Sequence, residues 1–302
     1  MYSKLLALLL LFLLPELIQA QNQNYRVVTT EGTVLIGSLI SEDETSITLK
    51  TDLLGEVTIA RVNIRSVVKI EDDRYLDGQY WHPSAQPTRY FFAPNAYSVK
   101  KGTGYYQNTL LFFNNYHHGI SDRFSLGGGI APFFLFGADA SPVWLMPKYS
   151  FKSNRESTVQ FAAGAMIGGF IPPGGANSGS SASILYGMVT LGEQDKNISI
   201  GTGIGFQGGN FSSRPVLNLN MIRRISPRSY LVSESYIFWY KETEYNGFTE
   251  TGERYEGTGM ISFGYRFAPE NFAFDFFMVR PLEDTGSLLA IPMIGVHIPT
   301  GR

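Results

Sequence analysis

The sequence predicts an all-β chain: a transmembrane antiparallel β-barrel of about twelve strands, preceded by a small five-stranded β domain. Three observations predict it. From residue 89 onward, segments of about ten residues alternate apolar and polar positions, the length at which a tilted strand crosses a bilayer. The connections between these segments alternate as well, one short and polar, the next longer. Beyond the N-terminal stretch, no apolar run reaches the ~18 residues of a membrane helix. Any crossing is therefore made by strands that satisfy their backbone groups on one another.

Composition agrees and removes several function classes. Charged residues are 17% of the chain, below the ~25% of an ordinary soluble domain. Aromatic residues are 14% and glycines number 32, which suits a β-rich chain with a weakly charged surface. The net charge of −2 offers no electrostatic footprint for nucleic acid, which is not an expected partner. There is no cysteine, so thiol catalysis, disulfides, Cys-based zinc sites and lipid attachment at an N-terminal cysteine are excluded.

Residues 1–20 read as a secretory signal peptide: Lys4 is the basic start, Leu5 to Leu14 the apolar run, Pro15 its end and Ala20 the small residue before the cut. Residues 21–70 form the small β module, expected in the periplasm. Its runs are Tyr25–Thr30, Val34–Ile40, Ser46–Thr51, Glu56–Ala60 and Ile64–Ile70, separated by turn or charged residues. Gly37 marks a sharp bend within the second run. With Gly32 and Gly37 in its first hairpin, this arrangement resembles SH3-like or Sm-like small barrels; an ordinary meander sheet fits the same pattern. Residues 71–88 are a linker that opens on Glu71, Asp72 and Asp73 and contains Gly78, Pro83 and Pro87.

Residues 89–302 are the barrel. The expected strands are 89–98, 104–115, 123–136, 141–151, 157–170, 181–191, 197–207, 214–225, 229–240, 256–267, 271–281 and 287–298. Short polar connections at 116–122, 153–156, 193–196, 226–228 and 269–270 alternate with 171–180, 208–213 and 241–255; 137–140 is a short exception. Outer-membrane barrels have short periplasmic turns and longer outer loops. The pattern thus places the protein in the cell outer membrane with both termini periplasmic. Within 197–207, Ile198, Ile200, Ile204 and Phe206 oppose Ser199, Gly201, Gly203 and Gly205. Aromatics such as Tyr105, Tyr149, Phe151, Phe170, Tyr265 and Phe267 fall near strand ends, as interface girdles do.

The charges Lys148, Arg224, Glu234, Arg266 and Asp275 are the candidate lumen residues; Glu234 shares a face with Val232, Tyr236 and Phe238, and it is the cost of a charge facing lipid that puts it inside. They either line a small channel or pack into a filled interior. No catalytic residue, metal ligand or cofactor is expected. Gly203 to Gly208 matches a dinucleotide-binding glycine pattern but lies inside a strand, where that chemistry has no helix N-terminus to use. His117-His118 is placed in a turn without carboxylates at ligand spacing. His82-Pro83-Ser84 is similar to the His-x-Ser of outer-membrane phospholipases, but in a proline-containing linker rather than a lipid-accessible strand.

The run Tyr90-Phe91-Phe92-Ala93-Pro94-Asn95-Ala96, then Lys101-Gly102, Tyr105-Tyr106-Gln107-Asn108, and Gly119 to Gly129, resembles outer-membrane β-barrel proteins of Bacteroidota-type bacteria. The resemblance implies fold and location and brings no activity or site residues. The chain ends Ile298-Pro299-Thr300-Gly301-Arg302 rather than on the aromatic residue of many barrels. The expected function is non-enzymatic: envelope structure or small-solute passage in contact with outer-membrane lipid, with residues 25–70 docking a periplasmic or envelope protein. The alternatives are a membrane-embedded lipid hydrolase or a subunit of a larger envelope assembly.

Overall fold

The structure, a computed structural model, describes residues 23–70, 74–76, 79–138, 140–151, 158–171, 181–246, 249–282 and 290–301. The expected signal peptide, the glycine-rich connection 172–180 and the turn 153–156 lie outside the described residues. The chain divides into two compact units, Met1–Trp81 and His82–Arg302.

The first unit holds β1 (Asn24–Thr29), β2 (Val34–Glu42), β3 (Ser46–Thr51), β4 (Gly55–Ala60) and β5 (Ile64–Lys69). They form one antiparallel sheet in the order β4-β3-β2-β1-β5. Alternation in β3 turns Ile47 and Leu49 inward, where they meet Val27 and Ile59 in an apolar core. At Gly37 a β-carbon would lie 2.3 Å from the Lys50 carbonyl oxygen, so only glycine lets β2 close on β3 there. The β2–β3 turn is built by Asp43, whose carboxylate accepts the amides of Thr45 at 2.7 Å and Ser46 at 2.8 Å. This is the local side-chain-to-backbone bonding that makes Asp a turn residue.

The second unit is a closed barrel of 12 strands. They are β6 (Gly104–Thr109), β7 (Phe113–Gly119), β8 (Phe124–Ile130), β9 (Ser141–Ser150), β10 (Val159–Ile171) and β11 (Ala182–Glu193). The ring continues with β12 (Lys196–Gln207), β13 (Val216–Ser226), β14 (Ser229–Asn246), β15 (Thr249–Phe267), β16 (Ala273–Pro281) and β17 (Ile291–Thr300). Each strand pairs antiparallel with its sequence neighbours, and β17 returns to β6 from Gly295↔Thr109 to Thr300↔Gly104. Closure leaves the barrel no free sheet edge.

Two expectations about strands fail, and they compensate in the count. Residues 89–98 are not a strand; they lie inside the barrel, as shown below. The expected strand 104–115 is two strands, broken at 110–112. Leu110 and Leu111 turn there with φ of 54° and 65°. Leu-Leu-Phe carries none of the usual turn chemistry, and L-residues enter the left-handed region at a cost of ~1–2 kcal/mol; the turn is held instead by Asn108, whose side chain accepts the Leu111 amide at 3.1 Å. The expected turn 116–122 is also displaced: residues 116–119 continue β7, and the turn is 120–123.

Because both corrections fall at the start, the later connections keep their phase. Residues 120–123, 194–195, 227–228 and 268–272 make one rim, which also carries both ends of the barrel chain, Gly104 and Thr300. The opposite rim carries 208–215 and 131–140. The latter is longer than the expected 137–140 because β8 stops at Ile130, before the single helical turn Phe133–Phe136. Within 241–255, expected as a loop, residues 241–246 continue β14 and 249–255 continue β15 as a paired ribbon.

Along β12 the faces alternate without exception from Lys196 to Ile204: Asn197, Ser199, Gly201 and Gly203 are buried, while Ile198, Ile200 and Ile204 are exposed. In β16, Phe274, Phe276 and Met278 point out and Ala273, Asp275 and Phe277 point in. The barrel is thus apolar outside and largely polar inside, the reverse of a water-soluble barrel.

Candidate functional site

The site is the barrel interior, and it is occupied by the chain itself. Residues 82–99 cross the lumen without regular structure, with Gln86, Thr88, Tyr90, Phe91, Ala93, Asn95 and Ala96 all buried. Proline alone does not keep this stretch out of the wall, since β9 carries Pro142 and Pro147 and β17 carries Pro292 and Pro299 within the closed sheet. The backbone groups of the stretch are satisfied instead by side chains of the wall.

Glu234, on β14, accepts three consecutive amides on one carboxylate oxygen, from Phe91, Phe92 and Ala93, each at 2.9 Å. Successive backbone N–H groups turned to one point form an anion nest, and a wall carboxylate fills it. Opposite charge logic serves the carbonyls. Arg266 of β15 donates to the carbonyl of Tyr90 at 2.5 Å and reaches those of Arg89 and Gln86 at 3.3 and 3.4 Å. Its other face is held by Asp275 of β16 in a two-point pair of 2.6 and 2.8 Å. His297 of β17 lies 2.8 Å from Asp275 through Nε2. Lys148 of β9 donates to the carbonyls of Asn95 at 3.0 Å and Tyr97 at 2.6 Å.

Neutral groups complete the grip. The Tyr90 hydroxyl donates to the Asn197 amide oxygen and accepts from the Ser199 hydroxyl, both at 2.6 Å, and Gln107 donates to the Phe91 carbonyl at 2.7 Å. The Ala96 amide donates to Thr190 at 2.8 Å. Apolar contact adds to this: Phe91 stacks on Phe277 with ring centroids 3.9 Å apart and planes 8° from parallel, and Phe92 meets the same ring edge-on. Around them Ala85, Tyr90, Val232, Ile222 and Val279 form one buried cluster. Gly264 makes room for it, since a β-carbon there would lie 2.3 Å from that of Phe277.

Three of the five residues singled out from sequence, Lys148, Glu234 and Arg266, therefore meet on one inner segment, and a fourth, Asp275, holds Arg266 against it. Arg224 does something different. It sits at the short-turn rim of β13, pairs with Asp195 at 2.8 Å and lies over the Tyr230 ring at 5.2 Å. Sequence reasoning missed the inner segment and its neutral partners Gln107, Thr190, Asn197 and Ser199. Local sequence held no signal for the segment: a proline in an expected strand does not decide, since β9 carries Pro142 and Pro147 and is a strand. His117 and His118 are strand residues rather than turn residues: His117 points inward and is buried. Tyr105, expected in the girdle, points inward and pairs with Thr88 at 3.0 Å. Tyr149, Phe151, Phe170, Tyr265 and Phe267 are exposed on the outside.

No protein-family model and no curated protein matches the chain. Solved structures of similar chain path include a KdgM porin, at 12% identity and a TM-score of 0.43, covering 65% of this chain and 98% of that one. A loop-deletion mutant of OmpT, an outer membrane protein of Vibrio cholerae, aligns at 12% identity with a TM-score of 0.36, covering 92% of this chain and 96% of that one. The translocator domain of the autotransporter NalP from Neisseria meningitidis aligns at 8% identity with a TM-score of 0.31, covering 65% and 86%.

Proposed function

We propose that this protein is a non-enzymatic outer-membrane β-barrel, closed by its own residues 82–99, that anchors the N-terminal five-stranded module on the periplasmic side for docking to an envelope partner. The observation that carries the closed state is the occupied lumen, where Glu234, Arg266 and Lys148 are all engaged on the backbone of the inner segment. Membrane insertion is supported by the inverted faces: Ile200, Phe263 and Phe276 are about half exposed while Arg266, Asp275 and Glu234 are almost fully buried. Placing the short-turn rim in the periplasm follows the habit of bacterial barrels and puts both chain ends there. The SH3-like or Sm-like character of the module belongs to the same proposal, supported by the bend at Gly37 and the pairing of β1 with both β2 and β5.

Planar-bilayer recording of the purified protein tests this reading. Electrical silence is expected, with steady channels appearing when residues 84–97 are deleted. Steady unitary currents from the unaltered protein overturn the closed state. Retention of a compact, SDS-resistant band until boiling is expected for the membrane barrel; recovery in the soluble periplasmic fraction with no such band overturns insertion.

Regulated passage of small solutes is the second reading. It is favoured by the polar wall behind the inner segment, where Gln160, Ser199, Asn220 and Ser262 are buried. A lipid hydrolase has less support. Ser84 and His82 are buried, and the Ser84 hydroxyl accepts the Gln86 amide at 3.2 Å instead of facing lipid.

A further inference from the structure

Among the described residues, the interior around the inner segment contains three strongly basic side chains, Arg89, Lys148 and Arg266, against two carboxylates, Glu234 and Asp275. Both carboxylates are engaged elsewhere: Asp275 by Arg266 and His297, Glu234 by the three amides. Among the described residues no carboxylate reaches Arg89 or Lys148. Arg89 donates only to the Phe92 carbonyl at 2.8 Å and to the weak acceptor Met146 sulfur at 3.1 Å. Lys148 uses two of its three protons, on Asn95 and Tyr97.

These two cations border one small cavity, which Ser125 and His117 also line. Its free volume is about 10 Å³, the space of about one water or a comparable ion. The His117 Nε2 atom is buried with no hydrogen-bond partner. Two buried like charges therefore border this space without a counter-charge among the described residues. Uncompensated buried charge is strongly unfavourable, and what relieves it is an acceptor that carries negative charge and no protons.

We propose that the cavity binds one small monovalent anion of chloride size, bridging Arg89 on the inner segment and Lys148 on the barrel wall. The volume excludes phosphate and carboxylate ligands. The ion acts as a pin, adding a link between wall and inner segment at a point where protein groups alone repel. The site rests on the closed lumen, not on what the barrel does for the cell.

The full-length mature protein, folded in detergent and crystallised with sodium bromide, tests it. An anomalous bromide peak between the Lys148 ammonium and the Arg89 guanidinium is expected. Its absence at saturating bromide, or water alone in the cavity, overturns the proposal. In solution the unfolding midpoint is expected to be higher in chloride than in gluconate at equal ionic strength, and Lys148→Met to abolish the difference. Equal midpoints for the unaltered protein in the two salts also overturn it. If Lys148→Met does not fold, the salt comparison and the bromide map on the unaltered protein still decide. Failure of the closed-barrel reading is seen separately, as channel activity in bilayers.

Discussion

The five-stranded module and the barrel use the same alternation in opposite senses. In the module, β3 hides Ile47 and Leu49 and shows Lys50 to solvent. In the barrel, β12 hides Asn197 and Ser199 and shows Ile198 and Ile200. The period of two is a property of the extended backbone, whichever medium surrounds it. What decides the sense is which face must meet which solvent. The module gathers its apolar side chains away from water. The barrel shows them on its outer face and encloses a polar interior, which it satisfies by drawing 82–99 of its own chain inside.

The largest test of this comparison lies at Arg266. Removing it as Arg266→Ala leaves Asp275 buried without its main partner and frees three backbone carbonyls. A loss of ~3–5 kcal/mol is expected in urea unfolding from lipid vesicles, the usual cost of stranding half of a buried ion pair. A loss under ~1 kcal/mol would mean that water reaches Asp275 freely, so the interior is not filled as described.

A second test exchanges outward residues between the regions. Ile200→Lys is expected to cost ~2–4 kcal/mol if its side chain faces mid-bilayer lipid. Lys50→Ile on the outward face of the module is expected to stay within ~0.5 kcal/mol. If Ile200→Lys is equally silent, the outer face of the barrel meets water and the contrast collapses.

The turns give a third. The module places glycine at positive φ, with Gly32 at 89° and Gly55 at 69°, where the first barrel hairpin uses Leu110 and Leu111. Leu111 is largely exposed, so Leu111→Gly gives up little packing and should raise stability by ~1 kcal/mol through relief of left-handed strain. A destabilised variant would show that this leucine makes contacts outweighing its backbone cost.

The smallest effect is a pH dependence confined to the module. The Thr45 hydroxyl, then the Thr45 and Ser46 amides, hold the exposed Asp43 carboxyl down at about 2, below its ordinary 3.8. A carboxyl depressed on folding adds stability that is complete above the ordinary value and is lost as pH falls through about 2. Titration of the Asp43 carboxyl by NMR in the full chain should show a midpoint near 2; a midpoint at 3.8 would remove the turn from the account.

Much of this was legible from residues alone where alternation was clean. The strands around 197–207, 256–267 and 271–281 were readable because each side chain of one type recurs at every second position. Lys148, Glu234, Arg266 and Asp275 were readable as interior because a charge cannot face lipid cheaply. The first hairpin was not, because Leu110-Leu111-Phe112 breaks a strand with residues that normally extend one. The inner segment was not either: Tyr90, Phe91 and Phe92 look like strand residues until their partners are known, and several of those, such as Ser199 and Glu234, lie more than a hundred residues away on β12 and β14.

By itself the sequence determined the all-β character, the two regions and the faces of the strands around 197–207, 256–267 and 271–281, since these depend on local period and on the cost of burying charge. Only the tertiary structure decided that the lumen is filled and by what. Which carboxylate accepts the Phe91–Ala93 amides and which guanidinium takes the Tyr90 carbonyl depend on closure of the ring. Closure brings distant strands around one segment, and no local pattern encodes that meeting.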